Sequence, residues 1–277
     1  MTATTTATTA PLTGPQVVRR RGDFSNVLRA ELCKMRTIRS TYWLLLTALA
    51  ANVGFAALAA AVLAPRLGSD DLASVDVVQL ALAGLHLSQI AFGVFGTLLI
   101  TGEYGSGMIR TTLAAVPRRP TVLAAKALVF SGVALVTATA STFAAYLAFE
   151  ACLPAHTLTG TALSDPGVAR AVFGGGLYLT VFGLLGLGIG TVLRSSAGAI
   201  ATLLGVLFVP PLSLDLLPGT WKTTVGPYIP MQSGGQIYVA AHREAASLAP
   251  WTGFGVFCLY AAVALLAGLA AVNRRDA

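Results

Sequence analysis

The stretch TGEYGSGMIRTTLAAVPRRPTVLAAK, Thr101 to Lys126, carries Glu103, Arg110, Arg118, Arg119 and Lys126 between flanks that hold no Asp, Glu, Lys or Arg for many turns. Within it, Met108, Ile109, Thr112, Leu113 and Val116 recur at helical spacing on one face, with Arg110 projecting away from it. Gly105 and Gly107 loosen the chain ahead of that helix and Pro117 ends it. Pro120 opens the next helix, where a missing N–H costs nothing. The pattern predicts a span, a break, a short amphipathic helix, a basic stop and another span. A plain helix–helix connection takes about 2–8 residues. A helix that presents apolar side chains at a surface usually has something to bind.

The chain around this stretch is oily. Of its 277 residues 55% are hydrophobic and 10% charged, and the mean hydropathy is +0.76. Soluble chains devote about a quarter of their positions to charge. Runs of roughly 20 apolar residues, enough to cross a bilayer, recur at Tyr42–Ala64, Leu80–Ile100, Ala127–Phe149, Ala171–Leu193, Ala197–Leu217 and Trp251–Val272. Backbone in lipid must satisfy its own hydrogen bonds, so these are expected to be six helices of an all-α membrane protein. Pro210 and Pro211 follow about 13 apolar residues, a rise of about 20 Å, and predict a kink or break in the fifth span. The six spans form one domain, residues 23–277. The Thr/Ala-rich stretch 1–22 is expected to be a disordered tail and a poor secretory signal, since it lacks an apolar core.

Basic residues in alternate loops set the expected orientation. Fourteen fall on one side: Arg19, Arg20, Arg21, Arg29, Lys34, Arg36, Arg39, Arg110, Arg118, Arg119, Lys126, Arg194, Arg274 and Arg275. Four fall on the other: Arg66, Arg170, Lys222 and Arg243. Asp70, Asp71 and Asp76 join that second side. Both termini and the opening stretch are therefore expected in the cytoplasm. The net charge of +7 reads as topology, with attraction to anionic lipid as a by-product. Nucleic acid is not an expected partner, because the basic residues flank spans and form no separate basic domain. Cys33, Cys152 and Cys258 make no disulfide framework.

Other segments carry weaker signals. In DFSNVLRAELCKMRTIRS, Asp23 to Ser40, the residues Phe24, Val27, Leu28, Leu32 and Met35 share one side of a helix that Asp23 would cap. Such a helix suits the headgroup region, as a topology anchor or as a contact for a cytoplasmic partner. Asn52, His86 and Gln89 are polar residues within spans, candidates for intramembrane contacts and more readily explained as interhelical hydrogen-bond glue. Gly183, Gly186, Gly188 and Gly190 permit close helix packing within or between subunits. Three histidines, two of them (His156 and His242) far apart in outer loops, offer no metal site. No nucleophilic triad is visible.

The chain resembles the membrane subunits of type-2 ATP-binding-cassette (ABC) exporters, especially those of high-GC Gram-positive bacteria. The likeness is carried by Glu103-Tyr104, Gly107, Ile109-Arg110, Thr111-Thr112-Leu113, Pro117-Arg118-Arg119 and Ala124-Ala125-Lys126. LGLGIGTVLRSSAGAI (185–200) and YIPMQSGGQIY (228–238) add to it, although Met231-Gln232-Ser233 is not the commonest wording. The resemblance implies an N-terminal interfacial amphipathic helix and a cytoplasmic coupling helix between spans two and three. It also implies a re-entrant outer segment between spans five and six, here Leu216–Pro250, with Trp221, Tyr228 and Trp251 in an aromatic belt. Glu103, Tyr104, Gly107, Met108, Ile109, Arg110 and Leu113 are then the expected ATPase-coupling residues. A second permease subunit, identical or not, is the other expected partner, and export is the expected direction.

The chain contains no GxxxxGK[ST] phosphate loop, so ATP and Mg are expected on a separate subunit and this chain is not expected to be an enzyme. An ion-driven transporter would show acidic or paired charges inside its spans, and every Asp and Glu reads as a boundary or loop residue. A non-transporting assembly or sensor protein is the remaining alternative.

Overall fold

The computed structural model describes residues 24–63, 66, 76–116, 118–153, 162–216, 219–241 and 247–275. The predicted tail 1–22 and Asp23, Asp70, Asp71, Pro117, His156, His242 and Arg243 lie outside the described residues. In chain order the helices are α1 (Phe24–Thr37), α2 (Arg39–Leu58, continued by a π turn Ala59–Leu63), α3 (Val77–Ala81), α4 (Leu85–Gly105) and α5 (Met108–Ala115). They continue as α6 (Arg119–Cys152), α7 (Val168–Leu193), α8 (Ser196–Asp215), α9 (Gly219–Thr224), α10 (Pro230–Gly235) and α11 (Pro250–Arg275). Among the described residues there is no strand. Six helices, α2, α4, α6, α7, α8 and α11, are long and apolar enough to cross a membrane. This is a multi-pass, all-α architecture.

The bundle is organised around α7, which packs against α4, α6 and α11. Some 72% of its apolar window is buried, against 22% for α8 and for α11. Small residues explain why α7 takes the centre. A Cβ at Gly186 would collide with the Gly93 carbonyl of α4, one at Gly183 with the Phe130 ring of α6, and one at Gly188 would lie 2.6 Å from Ala264 of α11. The glycines seen in the sequence therefore serve packing within one subunit. Thr97 reinforces the α4–α7 contact, donating to the Gly93 and Gly186 carbonyls at 2.9 and 3.2 Å.

Four expectations need correction. The second span begins at Leu85; ahead of it lie short α3 and a turn closed by bonds such as Leu85 N–H to the Leu82 carbonyl at 2.9 Å. Gly84 sits in that turn because a Cβ there would come within 2.7 Å of the Asn52 carbonyl oxygen. The turn is written entirely in apolar and small residues, so hydropathy passes over it. The predicted break at Pro210 and Pro211 is absent. α8 runs through both prolines to Asp215; the Val206 and Leu207 carbonyls lose their helical donors there, a loss that membrane-spanning helices tolerate without stopping.

On α1, the buried stripe is Val27, Glu31 and Met35, while Phe24 and Leu32 stay exposed. The face that packs on α6 thus carries a carboxylate in its middle, which an apolar-face reading cannot place. Finally, α6 has 34 residues, or about 51 Å at 1.5 Å each, well beyond the ~30 Å hydrocarbon core.

Between α8 and α11 the chain forms α9, α10 and two 3-10 turns, and it buries Pro230, Ser233, Gly234, Ile237 and Tyr238. Gly234 is pressed between Phe257 and Tyr178, and Tyr178 stacks on Phe257 at 5.2 Å. Arg170 of α7 donates to the Ile237 and Val239 carbonyls at 2.9 Å each. Asp76 caps α3 through Val78 N–H and Gln79 N–H, and its other oxygen accepts from Ala241 N–H at 2.6 Å. Asp76 and Arg170 thereby pin the returning segment at one end of the bundle.

Gly96→Ala should destabilise the protein by at least about 1–3 kcal/mol, because its new Cβ would overlap the Gly183 carbonyl. Gly102→Ala, in the same helix with nothing within 4 Å, should be neutral or slightly stabilising. Thermal unfolding of the detergent-solubilised variants distinguishes the two, and equal melting of both would contradict this packing.

Candidate functional site

At the end of the bundle opposite Asp76 and Arg170, four charged side chains from three helices converge. Lys126 Nζ lies 2.6 Å from Glu31 Oε2 and 2.9 Å from Glu103 Oε1. Lys34 Nζ lies 2.8 Å from Glu31 Oε1 and 3.0 Å from the same Glu103 Oε1. Two carboxylates alternate with two ammoniums, so the formal charge of the cluster is zero. Lys126 and Glu31 are only 1% and 2% exposed, Glu103 6% and Lys34 26%, which makes Lys34 the one solvent-facing member.

Each member arrives by local necessity. Lys126 is two turns inside α6, on the face that also buries Val122 and Phe130. Glu31 and Lys34 are one helical turn apart on α1 and so share a side. Glu103 is in the last turn of α4, after which Gly107, at φ +73°, swings the chain into α5. A side chain with a Cβ at Gly107 would be strained by about 1 kcal/mol or more. α5 joins the cluster through Thr112, whose hydroxyl accepts from Lys34 Nζ at 3.2 Å, and through Ile109, packed on the core. The cluster therefore ties α1, α4, α5 and α6 together.

Burial alone would push the Glu31 carboxyl up, but the charges and hydrogen bonds of Lys126 and Lys34 outweigh it and hold the group below its ordinary value. Burial would likewise depress Lys34, and its bonds to Glu31 and Glu103 turn that into a net rise. Glu103 Oε2 is buried with no hydrogen-bond partner among the described residues. No group of three or more His, Cys, Asp or Glu side chains among the described residues could hold a metal ion.

The residues singled out from sequence divide into two sets. Glu103 is inside the cluster, and Tyr104 is half-buried beneath the Arg194 guanidinium, 5.1 Å from its ring centroid. Ile109, Thr112, Leu113 and Val116 are turned partly inward. Gly107, Met108, Arg110, Thr111, Ala114 and Ala115 are exposed. The open face of α5 thus combines Met108 and Arg110 with small residues, while the other apolar side chains are partly spent on the protein's own body. In the spans, Asn52 donates to the Ser141 hydroxyl and carbonyl at 3.1 and 3.3 Å. Gln89 accepts from the buried Tyr178 hydroxyl. His86 is exposed, its Nδ1 3.1 Å from the Ala83 carbonyl of the preceding turn.

Sequence reasoning missed Glu31 and Lys34 as site members, and it placed Lys126 among residues that hold a loop inside. The structure corrects both: an ammonium 1% exposed cannot serve as a headgroup anchor. It also corrects the statement that no paired charges lie within spans, since Glu103 and Lys126 belong to α4 and α6. A lone Lys in LAAKALVF was the available signal. Arg119 has its own task, donating to the Val272 and Asn273 carbonyls at 3.0 and 3.3 Å and so closing the end of α11. No family model matches the chain, and no curated protein matches it.

Lys126→Met should cost about 3–5 kcal/mol, the usual penalty for stranding a buried charge, and adding Glu31→Gln should restore part of it. Glu31 titrates lower in the folded state, so its contribution is complete above about pH 4.3 and is lost as pH falls through the depressed value. Lys34 titrates higher, so its contribution is complete below about pH 10.4 and is lost as pH rises through the elevated one. Unfolding of the wild type in detergent should therefore be flat between those limits and weaken on the acid side. Lys126→Met melting like wild type would count against the cluster.

Proposed function

We propose that this chain is the membrane-spanning subunit of a type-2 ABC exporter, working as a dimer in the bacterial cytoplasmic membrane with ATP hydrolysed on separate subunits. On this reading both termini face the cytoplasm, α1 is the interfacial helix and α5 is the coupling helix. Residues 219–241 are the re-entrant outer segment. The observation that carries the proposal is the arrangement of α5. It is a short helix with an exposed Met108–Arg110–Thr111–Ala114 face, joined to the first helix and two spans through one buried ion cluster.

The chain contains no phosphate loop, so a motor has to be supplied from outside, and α5 is where it would take hold. Closure of the ATPases would push on residues 105–116. The cluster would pass that displacement to α1, α4 and α6, and the spans would switch from inward-open to outward-open. Membrane-active drugs, lipid-like compounds and peptides fit such a path. An ion-driven mechanism is less favoured by the same geometry, because the paired charges sum to zero at one end of the bundle. The competing reading is a non-transporting sensor or assembly protein.

Pull-down of the detergent-solubilised chain separates these readings. The expected companion is an ATPase with a phosphate loop. Arg110→Glu combined with Ala114→Glu, both on the exposed face, should lower its recovery about tenfold or more through like-charge and steric mismatch, with thermal unfolding unchanged. Wild-type preparations that never contain an ATPase, or undiminished recovery with the double variant, would overturn the proposal.

A further inference from the structure

Away from the cluster, at the elbow between α1 and α2, the surface is open. Ile38 is extended (φ −84°, ψ 107°) and α2 starts at Arg39. Arg39, Tyr42, Trp43 and Leu46 follow at the i, i+3, i+4 and i+7 spacing that shares one helix face, and they line an open groove of about 250 Å³ with almost wholly apolar walls. No described residue packs over them: Tyr42, Trp43 and Leu46 are 57%, 69% and 53% exposed. The Tyr42 hydroxyl donates to the Arg36 carbonyl at 3.0 Å, which fixes that wall of the groove against the end of α1.

Arg39 is exposed and makes no ion pair with any described residue, and Arg36, one turn earlier, is exposed as well. Among the described residues, the two carboxylates of this end of the bundle, Glu31 and Glu103, are engaged by Lys34 and Lys126. The groove therefore combines uncompensated positive charge at its mouth with an apolar floor running down a membrane-spanning helix. Its ligand needs an anionic group joined to hydrocarbon. Free phosphate would leave the apolar walls unused. An isologous contact with a second copy centred here would set Arg39 against Arg39.

We infer that the groove binds an anionic phospholipid of the surrounding bilayer, with the phosphate on Arg39 and an acyl chain along Tyr42, Trp43 and Leu46. The site needs only that α2 spans the membrane, and it is independent of any ATPase.

Trp43 is a reporter inside the site. The chain has three tryptophans, so Trp221→Phe with Trp251→Phe leaves Trp43 alone. The full-length variant is reconstituted in phosphatidylcholine vesicles carrying a fraction of brominated phosphatidylglycerol or of brominated phosphatidylcholine. Bromine quenches tryptophan at contact range, so the two titrations give the relative affinity at the groove. Phosphatidylglycerol should be preferred about fivefold, the worth of one basic side chain against an anionic headgroup. The preference should fall to about one in Arg39→Gln and persist in Arg39→Lys. Equal quenching by both lipids in the parent, or a preference untouched by Arg39→Gln, would overturn the inference. So would absence of quenching by either lipid, which would mean that protein covers the groove.

Discussion

An ammonium group two turns inside a membrane-spanning helix is unstable there without partners, and Lys126 dictates much of what surrounds it. Its Nζ is bonded to carboxylates on α1 and α4, 95 and 23 residues away in sequence. Two carboxylates around one ammonium would leave a net negative charge, and Lys34 cancels it. Each member is justified by the other three, so the condition is collective: α1 must lie beside α6, and α4 must end where Glu103 reaches both lysines. α5 must then leave at Gly107. Neutrality at one point places four elements.

Apart from that point, the interior is held by contact rather than charge. Backbone touches backbone where α7 crosses α4, and two side-chain pairs bridge spans, Asn52 with Ser141 and Gln89 with Tyr178. At the far end, Asp76 and Arg170 hold the segment between α8 and α11 by its backbone groups. The bundle is thus close-packed in the middle and tied by charge at both ends, by different means. Backbone carbonyls and amides are gripped at one end, and charged side chains from three separate segments are locked together at the other.

How legible this was in the sequence follows from how local each cause is. Hydropathy depends on the composition of a single segment, and six spans were visible. The helix between Gly107 and Pro117 was visible too, because glycine, helical spacing and proline lie within ten residues of one another. Ion pairing across 95 residues leaves no local trace. Glu31 reads as part of the polar side of α1, and Lys126 as part of a basic flank, until the fold brings them together. The turn at Gly84 is hidden for a different reason, being spelled in residues that also make good span. Pro210 and Pro211 misled in the opposite direction. The rule that proline breaks helices weighs the lost hydrogen bonds, and a membrane-spanning helix can run on in spite of that loss.

The cluster is not equally stiff in all directions. Glu31, Lys126 and Glu103 are shut in, and each bond among them joins full charges in a dry setting, where hydrogen bonds are strong and directional. Drawing Lys34 away would leave that trio with an uncompensated negative charge. α5 is attached more lightly, by one Lys34–Thr112 bond and the packing of Ile109. A hydrogen bond to a charged group contributes about 1.5–3 kcal/mol, and apolar packing is non-directional. α5 is therefore held to the body by weaker ties than those that join α1, α4 and α6 to one another. On the proposed reading, a partner gripping α5 works against a soft joint first and a rigid block second. The span ends would then respond as one body, and only to a push large enough to take up the play at Thr112.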